Sequence, residues 1–581
     1  TPLREVGASM SVLDAKDIQL SGFSNLADVL RSQTAIGVSN SGGAGKQTSL
    51  RIRGEESFRT LVRVDGVEIS DPTGTQVGPQ VQHLLSSQID RVEILRGAQG
   101  MMYGADAGGV INITTPTPES GFAGGVSVEG GRYGTQELSA HAAAGSEKAE
   151  VYVSVSDFET DGFNTSTKDA VSADEDGYSN TTVHLKAAYQ VAESLKVQLV
   201  ARDVEGESEF DDCFTTTPND CLSSYDESTF RLEADYKDDS VSHNLAIART
   251  DIERNSSSAG NLSFETSGKL DKVEYLGTYK FESAQLVYGL DWREEDIIAS
   301  NGEAQNRDQT GYYLEYQTSH NDTLYFTGGV RFDDNEDFGE HTSYRLTAAW
   351  VVDFEDGATL KYKSAYGTGF RAPSLSEIAY NFGPWAWGGA FELGLSEETS
   401  KGFDVGVEYH NTRGMRLEAV YFNQVVEDEI YFDLDAFTGY LQALGTGHSR
   451  GIELSGEYPF ASGVTLTGNY TYNDTERPEG ELRSRRPKHL ANVGLSYITL
   501  NDKLTLNANL RLARDAENEV FGLGYIPLDD YEVLTLNANF QVSDAMEIYA
   551  RVENASNESY QEVSNFHTSG AAAYAGLRVT F

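Results

Sequence analysis

Basic residues are scarce in this chain of 581: 44 Lys and Arg stand against 90 Asp and Glu, a formal charge of −46. That balance excludes nucleic acid as a partner, because phosphates are held by clustered Lys and Arg. Proline is also scarce, with 12 residues, and cysteine is limited to Cys213 and Cys221 within DDCFTTTPNDCLSS. Their spacing is too wide for a redox C-x-x-C and no second pair completes a zinc site, so a loop disulfide formed in an oxidising compartment is expected. No long apolar run occurs and the mean hydropathy is −0.42, which excludes a helical membrane span. A membrane barrel is not excluded, since its strands alternate lipid-facing and lumen-facing residues and average to a polar composition. The chain also lacks H-E-x-x-H and G-x-x-x-x-G-K-[ST], and its 10 histidines form no pair at metal spacing, so catalysis is not expected.

What is present suits many strands joined by turns: 57 Gly, 31 Tyr and 10% aromatic residues. From Ser86 to Thr115 the chain reads SSQIDRVEILRGAQGMMYGADAGGVINITT. Ile89, Val92, Ile94 and Leu95 predict one short strand and Val110, Ile111 and Ile113 another, with a glycine-spaced turn region between them. Upstream, a strand over Ser9 to Leu13, a helix through Leu26, Val29 and Leu30 capped by Ser24 or Asn25, and strands at Leu50 to Ile52 and Leu61 to Val67 complete an α+β unit over residues 1–117. From about Gly121 the period becomes two. Leu504, Leu506, Ala508, Leu510 and Leu512 alternate with Thr505, Asn507, Asn509 and Arg511, and segments 464–473, 534–542 and 573–581 repeat the pattern at membrane-crossing length.

The string R-V-E-I-L-R-G-x-Q-x-x-x-Y-G-A-D-A-G-G-V-I-N-I resembles the end of the plug domain of TonB-dependent outer-membrane receptors. S-L-R-I-R-G (Ser49 to Gly54) and V-R-V-D-G-V (Val62 to Val67) resemble further plug motifs, and V-R-F-D-D-N, Y-G-T-G-F-R-A-P-S-L-S-E, R-G-I-E-L, R-R-P-K-H, V-E-N-A-S-N-E-S-Y and a terminal Phe581 carry the resemblance through the rest of the chain. It implies an all-β membrane protein: a twenty-two-stranded antiparallel transmembrane β-barrel over residues 118–581, occluded by an N-terminal α+β plug domain over 1–117. It further implies a monomer in the outer membrane of a Gram-negative bacterium, set in lipid and lipopolysaccharide, importing a small-molecule cargo with energy from the periplasmic transducer TonB. A passive structural or adhesive barrel is the alternative of a different class, and it leaves the plug unexplained. Arg53, Asp65 and Arg96, taken alone surface ion-pair partners, become structural contacts between plug and wall. Among cargoes the likeness is greatest to the cobalamin (vitamin B12) receptor group, with ferric siderophores and haem as alternatives; F-R-A-P (Phe370 to Pro373) resembles a haem-receptor box without its N-P-N-L partner. The chain starts at Thr1 without a signal peptide or a visible TonB-contacting segment, which is expected of a processed or trimmed chain.

Two regions carry functional expectations. The first pairs Asp174, Glu175, Asp176 and Gly177 with Asp211, Asp212 and Asp220. Solvation explains such runs, as it does Asp333 to Asp337 and Glu427 to Asp435; a hard cation gripped by carboxylates on a glycine turn explains them too. Cobalamin receptors carry calcium-binding aspartates in these two loops, so the resemblance implies a calcium site at Asp174, Asp176, Asp211 and Asp220, with Asn164 departing from the pattern. The second region is YNFGPWAWGGAF, Tyr380 to Phe391, where Trp385 and Trp387 are read either as loop aromatics that grip a ligand or as self-packing and girdle residues.

Overall fold

The computed structural model describes residues 3–74, 76–98, 108–168, 174–211, 213, 220–300, 304–392, 394–434 and 436–581. Its N-terminal part is built on β1 (Met10–Asp14), β2 (Ile36–Asn40), β3 (Thr48–Ile52), β4 (Thr60–Val64), β5 (Val67–Glu68), β6 (Ser70–Asp71), β7 (Gly78–Pro79), β8 (Arg91–Arg96) and β9 (Gly109–Thr114). Five of these form one mixed sheet in the order β1-β8-β9-β4-β5, with β4 and β9 parallel. Helix α1 (Ala15–Ser21) starts on a capping box between Asp14 and Asp17, and α2 (Leu26–Leu30) starts on Asn25, whose side chain accepts from the Ala27 amide. Val92, Ile94, Ile111 and Ile113 alternate onto the sheet face that meets Leu26, Val29, Leu30, Ile36 and Leu50, and this is the apolar core of the plug.

Residues 115–120 lead into a closed barrel of 22 antiparallel strands, from β10 (Gly121–Gly131) to the strand Ala572–Thr580. These two strands pair from Gly125↔Thr580 to Gly131↔Tyr574 and close the wall, so no edge is left for lipid to desolvate. Strands β11 (Gln136–Gly145), β12 (Ala149–Phe163), β13 (Asp176–Ala192), β14 (Leu195–Phe210) and β15 (Cys221–Lys237) follow in order. Along β12 the period of two is plain: Val151, Val153 and Val155 are exposed on the outside, while Tyr152, Ser154 and Ser156 are buried against the plug. One end of the barrel has short turns, such as Asn321-Asp322 with φ of 52° at both residues; the other has long loops. Cys213 and Cys221 are joined by a disulfide at the long-loop end.

Between plug and wall lies a buried chain of ion pairs. Arg53 reaches Glu453 at 2.6 Å and Asp404 at 3.2 Å, and Arg96 reaches the same Glu453 at 3.2 Å. Arg59 bridges Glu55 of the plug at 3.0 Å and Glu398 of the wall at 2.8 Å. From those carboxylates the chain runs on to Arg371, at 2.9 Å from Glu398, and to Arg483, which joins Glu55 at 3.2 Å and Glu429 at 2.9 Å. Asp65 meets His184 at 3.0 Å and Lys186 at 3.2 Å. Within two acidic runs read from sequence as solvated loops, one carboxylate each is therefore corrected, while Asp334, Glu336 and Asp337 are exposed as expected. Asp333 pairs with Arg331 at 2.7 Å and Glu429 with Arg483, both inside the barrel, because the strands carry these residues onto the lumen face before the chain turns.

Removing one member of such a pair strands its partner in a dry interior. Arg53→Ala is expected to loosen plug seating by about 3–5 kcal/mol, measured as faster protease entry into the plug while the barrel keeps its heat-modifiable mobility; unchanged protection of the plug contradicts this.

Candidate functional site

Between β2 and β3 the plug sends a tight turn, residues 41–47, up to the wall at the long-loop end. Asn40 shapes it: its side-chain oxygen accepts from the amides of Gly42 and Gly43, and its Nδ2 donates to the Gly43 carbonyl at 2.8 Å. Gly45 has φ of +72° and lies against Tyr178, where an added Cβ would come within 1.9 Å of the ring. Only glycine fits there, in conformation and in space. The next residue, Lys46, is buried, and its Nζ donates to the carbonyls of Asp176 at 3.1 Å and Gly177 at 2.9 Å, to Ser208 Oγ at 3.1 Å and more weakly to the Ala44 carbonyl at 3.4 Å. Burial pushes this ammonium down to about 8, against the opposing pull of Asp176, Glu209 and Asp211.

The two acidic loops meet beside this turn. Asp176, the first residue of β13, accepts from the Thr165 amide at 2.7 Å; Asp211, just past β14, accepts from the Ser166 amide at 3.1 Å and from Thr165 Oγ1 at 3.3 Å. The structure thus brings Asp176 and Asp211 to one turn, while Asp174 and Asp220 are solvent-exposed; Asp212 lies outside the described residues. Asn164 is used locally, accepting from the Ser166 amide at 3.0 Å. Among the described residues no group of three or more His, Cys, Asp or Glu is arranged to hold a metal ion.

A cavity of about 210 Å³ opens beside the plug turn, lined by Gly43, Tyr133, Phe163, Tyr178, Arg551 and Tyr560 among others. It falls below the ~300–1,000 Å³ of pockets that enclose a small molecule. Nearby, His83 of the plug stacks on Tyr225 at 4.4 Å and shares a hydrogen bond of 3.0 Å with the Tyr178 hydroxyl. Burial holds its imidazole down at about 3.

Across the mouth, the loop between the thirteenth and fourteenth barrel strands folds inward as α3 (Leu375–Phe382) and α4 (Gly389–Glu392). Ser374 and Glu377 cap α3, Glu377 also pairs with Arg371 at 3.0 Å, and Ser376 donates to the plug carbonyls of Pro72 and Thr73 at 3.5 and 3.4 Å. The F-R-A-P segment is thereby tied down, with Arg307 donating to the Pro373 carbonyl at 2.7 Å. Tyr380, Phe432, Phe437 and Tyr440 pack edge to face, and the loop's self-packing is theirs. Trp385 and Trp387 stay outside that cluster, 68% and 57% exposed. Trp387 is fixed by its amide, which donates to the Thr438 carbonyl at 3.1 Å.

Sequence reasoning missed Asn40, Lys46 and His83. The glycine cluster beside Lys46 was the available signal, since glycines at positive φ mark a backbone pressed against something. The reading that the sequence holds no G-x-S-x-G is corrected: one such string stands at Gly447 to Gly451. It is no nucleophile elbow: Ser449 lies within the strand Tyr440–Pro459, and its hydroxyl donates to the Arg53 carbonyl.

Residues 2–111 match the family model described as TonB-dependent Receptor Plug Domain, and residues 160–555 match TonB dependent receptor-like, beta-barrel. Similar full-length proteins include the vitamin B12 transporter BtuB of Photobacterium profundum, 26% identical with 100% of this chain and 94% of that protein covered. BtuB of Vibrio cholerae is 23% identical, with 99% and 92% covered. Among solved structures, a point mutant of the ferric enterobactin receptor PfeA from Pseudomonas aeruginosa with enterobactin bound superposes with a TM-score of 0.84 at 16% identity, covering 99% of this chain and 100% of that one. The siderophore receptor PirA from Acinetobacter baumannii gives 0.82 at 16%, with 99% and 98% covered, and at such identities the likeness concerns the fold.

Two outcomes follow from the plug turn and from His83. Gly45→Ala forces a clash and left-handed strain together and is expected to weaken seating of the turn by about 1–3 kcal/mol, read as protease cleavage within 41–47. For His83 the folded value lies below the unfolded one, so unfolding takes up a proton. Its contribution to plug seating is constant above pH ~6.5 and falls as pH drops toward ~3, by up to about 1.4 kcal/mol per unit. His83→Phe is expected to flatten this part of the pH profile of plug protection; a parent-like slope in that variant contradicts it.

Proposed function

The chain belongs to the TonB-dependent receptors of the outer membrane, and from that membership we propose that it imports a cobalamin. The observation that carries the choice of cargo is the likeness, over the whole chain, to proteins named as vitamin B12 transporters. The family consists of receptors and transporters, and the cargo reading asks nothing of an activated nucleophile. Charge supports it as well. A chain of net −46 repels anionic ferric catecholates and is indifferent to a large, nearly neutral corrinoid. A siderophore cargo has structural neighbours in its favour, but those concern the fold.

In this reading the long-loop end faces outward. The exposed indoles of Trp385 and Trp387 take the flat apolar face of the cargo, and the plug turn at 41–47 with its cavity forms the floor beneath. TonB, acting from the periplasm, supplies the work that moves the plug out of its ion-paired seat, after which the cargo passes through the lumen. The receptor works as a monomer within outer-membrane lipid and lipopolysaccharide. Calcium at Asp174, Asp176, Asp211 and Asp220 is what the likeness to cobalamin receptors implies; Asp176 and Asp211 do meet at one turn, but Asp174 and Asp220 are exposed and the described residues form no group that would hold the ion, so the import reading does not depend on it.

Expression in a receptor-deletion strain limited for cobalamin is expected to restore growth, and deletion of TonB to abolish the rescue. Replacing Trp385 and Trp387 by Ala is expected to weaken cobalamin binding by about tenfold or more. Rescue by a ferric siderophore and not by cobalamin would overturn the cargo; uptake that persists without TonB would overturn active import.

A further inference from the structure

The ammonium of Lys46 occupies a position that the import reading leaves unused. Asp176 and Gly177 open β13 directly after the first acidic loop, and Ser208 stands near the end of β14, directly before the second. Two carbonyls and one hydroxyl from these strand ends, with the Ala44 carbonyl of the plug, surround Nζ at 2.9 to 3.4 Å. The carboxylates of Asp176, Glu209 and Asp211 lie close enough to act on its charge. An all-oxygen shell with carboxylates around it is what a hard cation requires.

Calcium does not fit the described residues as that cation. The carboxylates of Asp176 and Asp211 are turned onto the amides of Thr165 and Ser166, Asp174 and Asp220 are exposed to solvent, and among the described residues no three acidic side chains are grouped for a metal. We propose that Lys46 is a tethered cation: its ammonium ties the paired ends of β13 and β14, and with them the bases of the two acidic loops, to the plug without a metal ion. The turn that presents it is preorganised by Asn40 and by Gly45 against Tyr178, so little conformational freedom remains to be lost when the lysine docks.

The clamp is mounted on the plug and therefore holds only while the plug is seated. Moving the plug withdraws the ammonium from Asp176, Glu209 and Asp211 and leaves their negative charges uncompensated by it, so the loop bases loosen as the plug gives way. This consequence rests on the import reading; the clamp itself does not.

The test is limited proteolysis of the outer loops in the purified full chain in detergent, with neither cargo nor TonB present, in EGTA and in calcium chloride. The parent is expected to be cut at the same rate in both. Lys46→Met is expected to be cut about tenfold faster in EGTA, since cleavage follows the population of the opened loop, and calcium is expected to slow it again. A parent protected by calcium would overturn the proposal, as would Lys46→Met cut in EGTA as slowly as the parent. Should Lys46→Met fail to give a heat-modifiable barrel, Ser208→Ala removes one oxygen of the shell: faster cleavage supports the clamp and an unchanged rate overturns it. Failure here leaves the growth rescue by cobalamin untouched, and failure of that rescue leaves the clamp standing.

Discussion

Opposite charges buried between plug and wall set the terms for everything else in this molecule. A barrel of 22 strands encloses a lumen too wide for its own side chains to fill, and a folded domain fills it. The joint is made of desolvated ion pairs, Arg53 with Glu453 and Asp404, and Arg59 with Glu55 and Glu398, more than of apolar packing. Such pairs give little net stability over a hydrophobic contact, because the attraction must first offset desolvation. They do fix register sharply, since any slip leaves a charge in a dry interior. A plug held this way sits in one place, and once displaced with water entering, its charges are solvated instead of stranded. That combination suits a part that must seal the barrel at rest and yield to work.

The long-loop end obeys the same logic at smaller scale. Plug and wall meet there through Gly45 on Tyr178, His83 on Tyr225, and Lys46 in its shell of oxygens. Each contact couples a plug residue to a strand that carries an outer loop. Facing them, α3 rests on Pro72 and Thr73 of the plug through Ser376, so the aromatic loop too is referred to plug position. The mouth of the barrel is therefore arranged around the plug from both sides.

Much of the architecture is legible in the sequence because it is local. Val92 and Ile94 alternate onto one face of a plug strand, and Val151, Val153 and Val155 onto the lipid face of β12, by the two-residue period alone. The ion-pair chain is not local: Arg53 and Glu453 stand 400 residues apart, and nothing near either names the other. For the same reason Asp333 and Glu429 read as solvated acids until the lumen face turns them onto arginines. The stretch from Tyr380 to Phe391 reads as loop, and the helix Leu375–Phe382 that leads into it is missed although Ser374 and Glu377 form a capping box, a signal outweighed by the Gly, Pro and Trp that follow. Lys46 escapes notice because its partners are mostly backbone carbonyls, which every sequence has and none displays.

The central claim is that cargo crosses only when the plug moves against the wall. Ser87 of the plug and Ser156 of β12 place their hydroxyls 2.8 Å apart, so Ser87→Cys with Ser156→Cys offers a cross-link in cells with little change of shape. The measurement is cobalamin uptake by such cells, oxidised and then reduced, beside cobalamin binding to the same cells. The account predicts binding at the parent level in both states, with uptake lost on oxidation and recovered on reduction. Uptake at the parent rate through fully cross-linked receptors would contradict it.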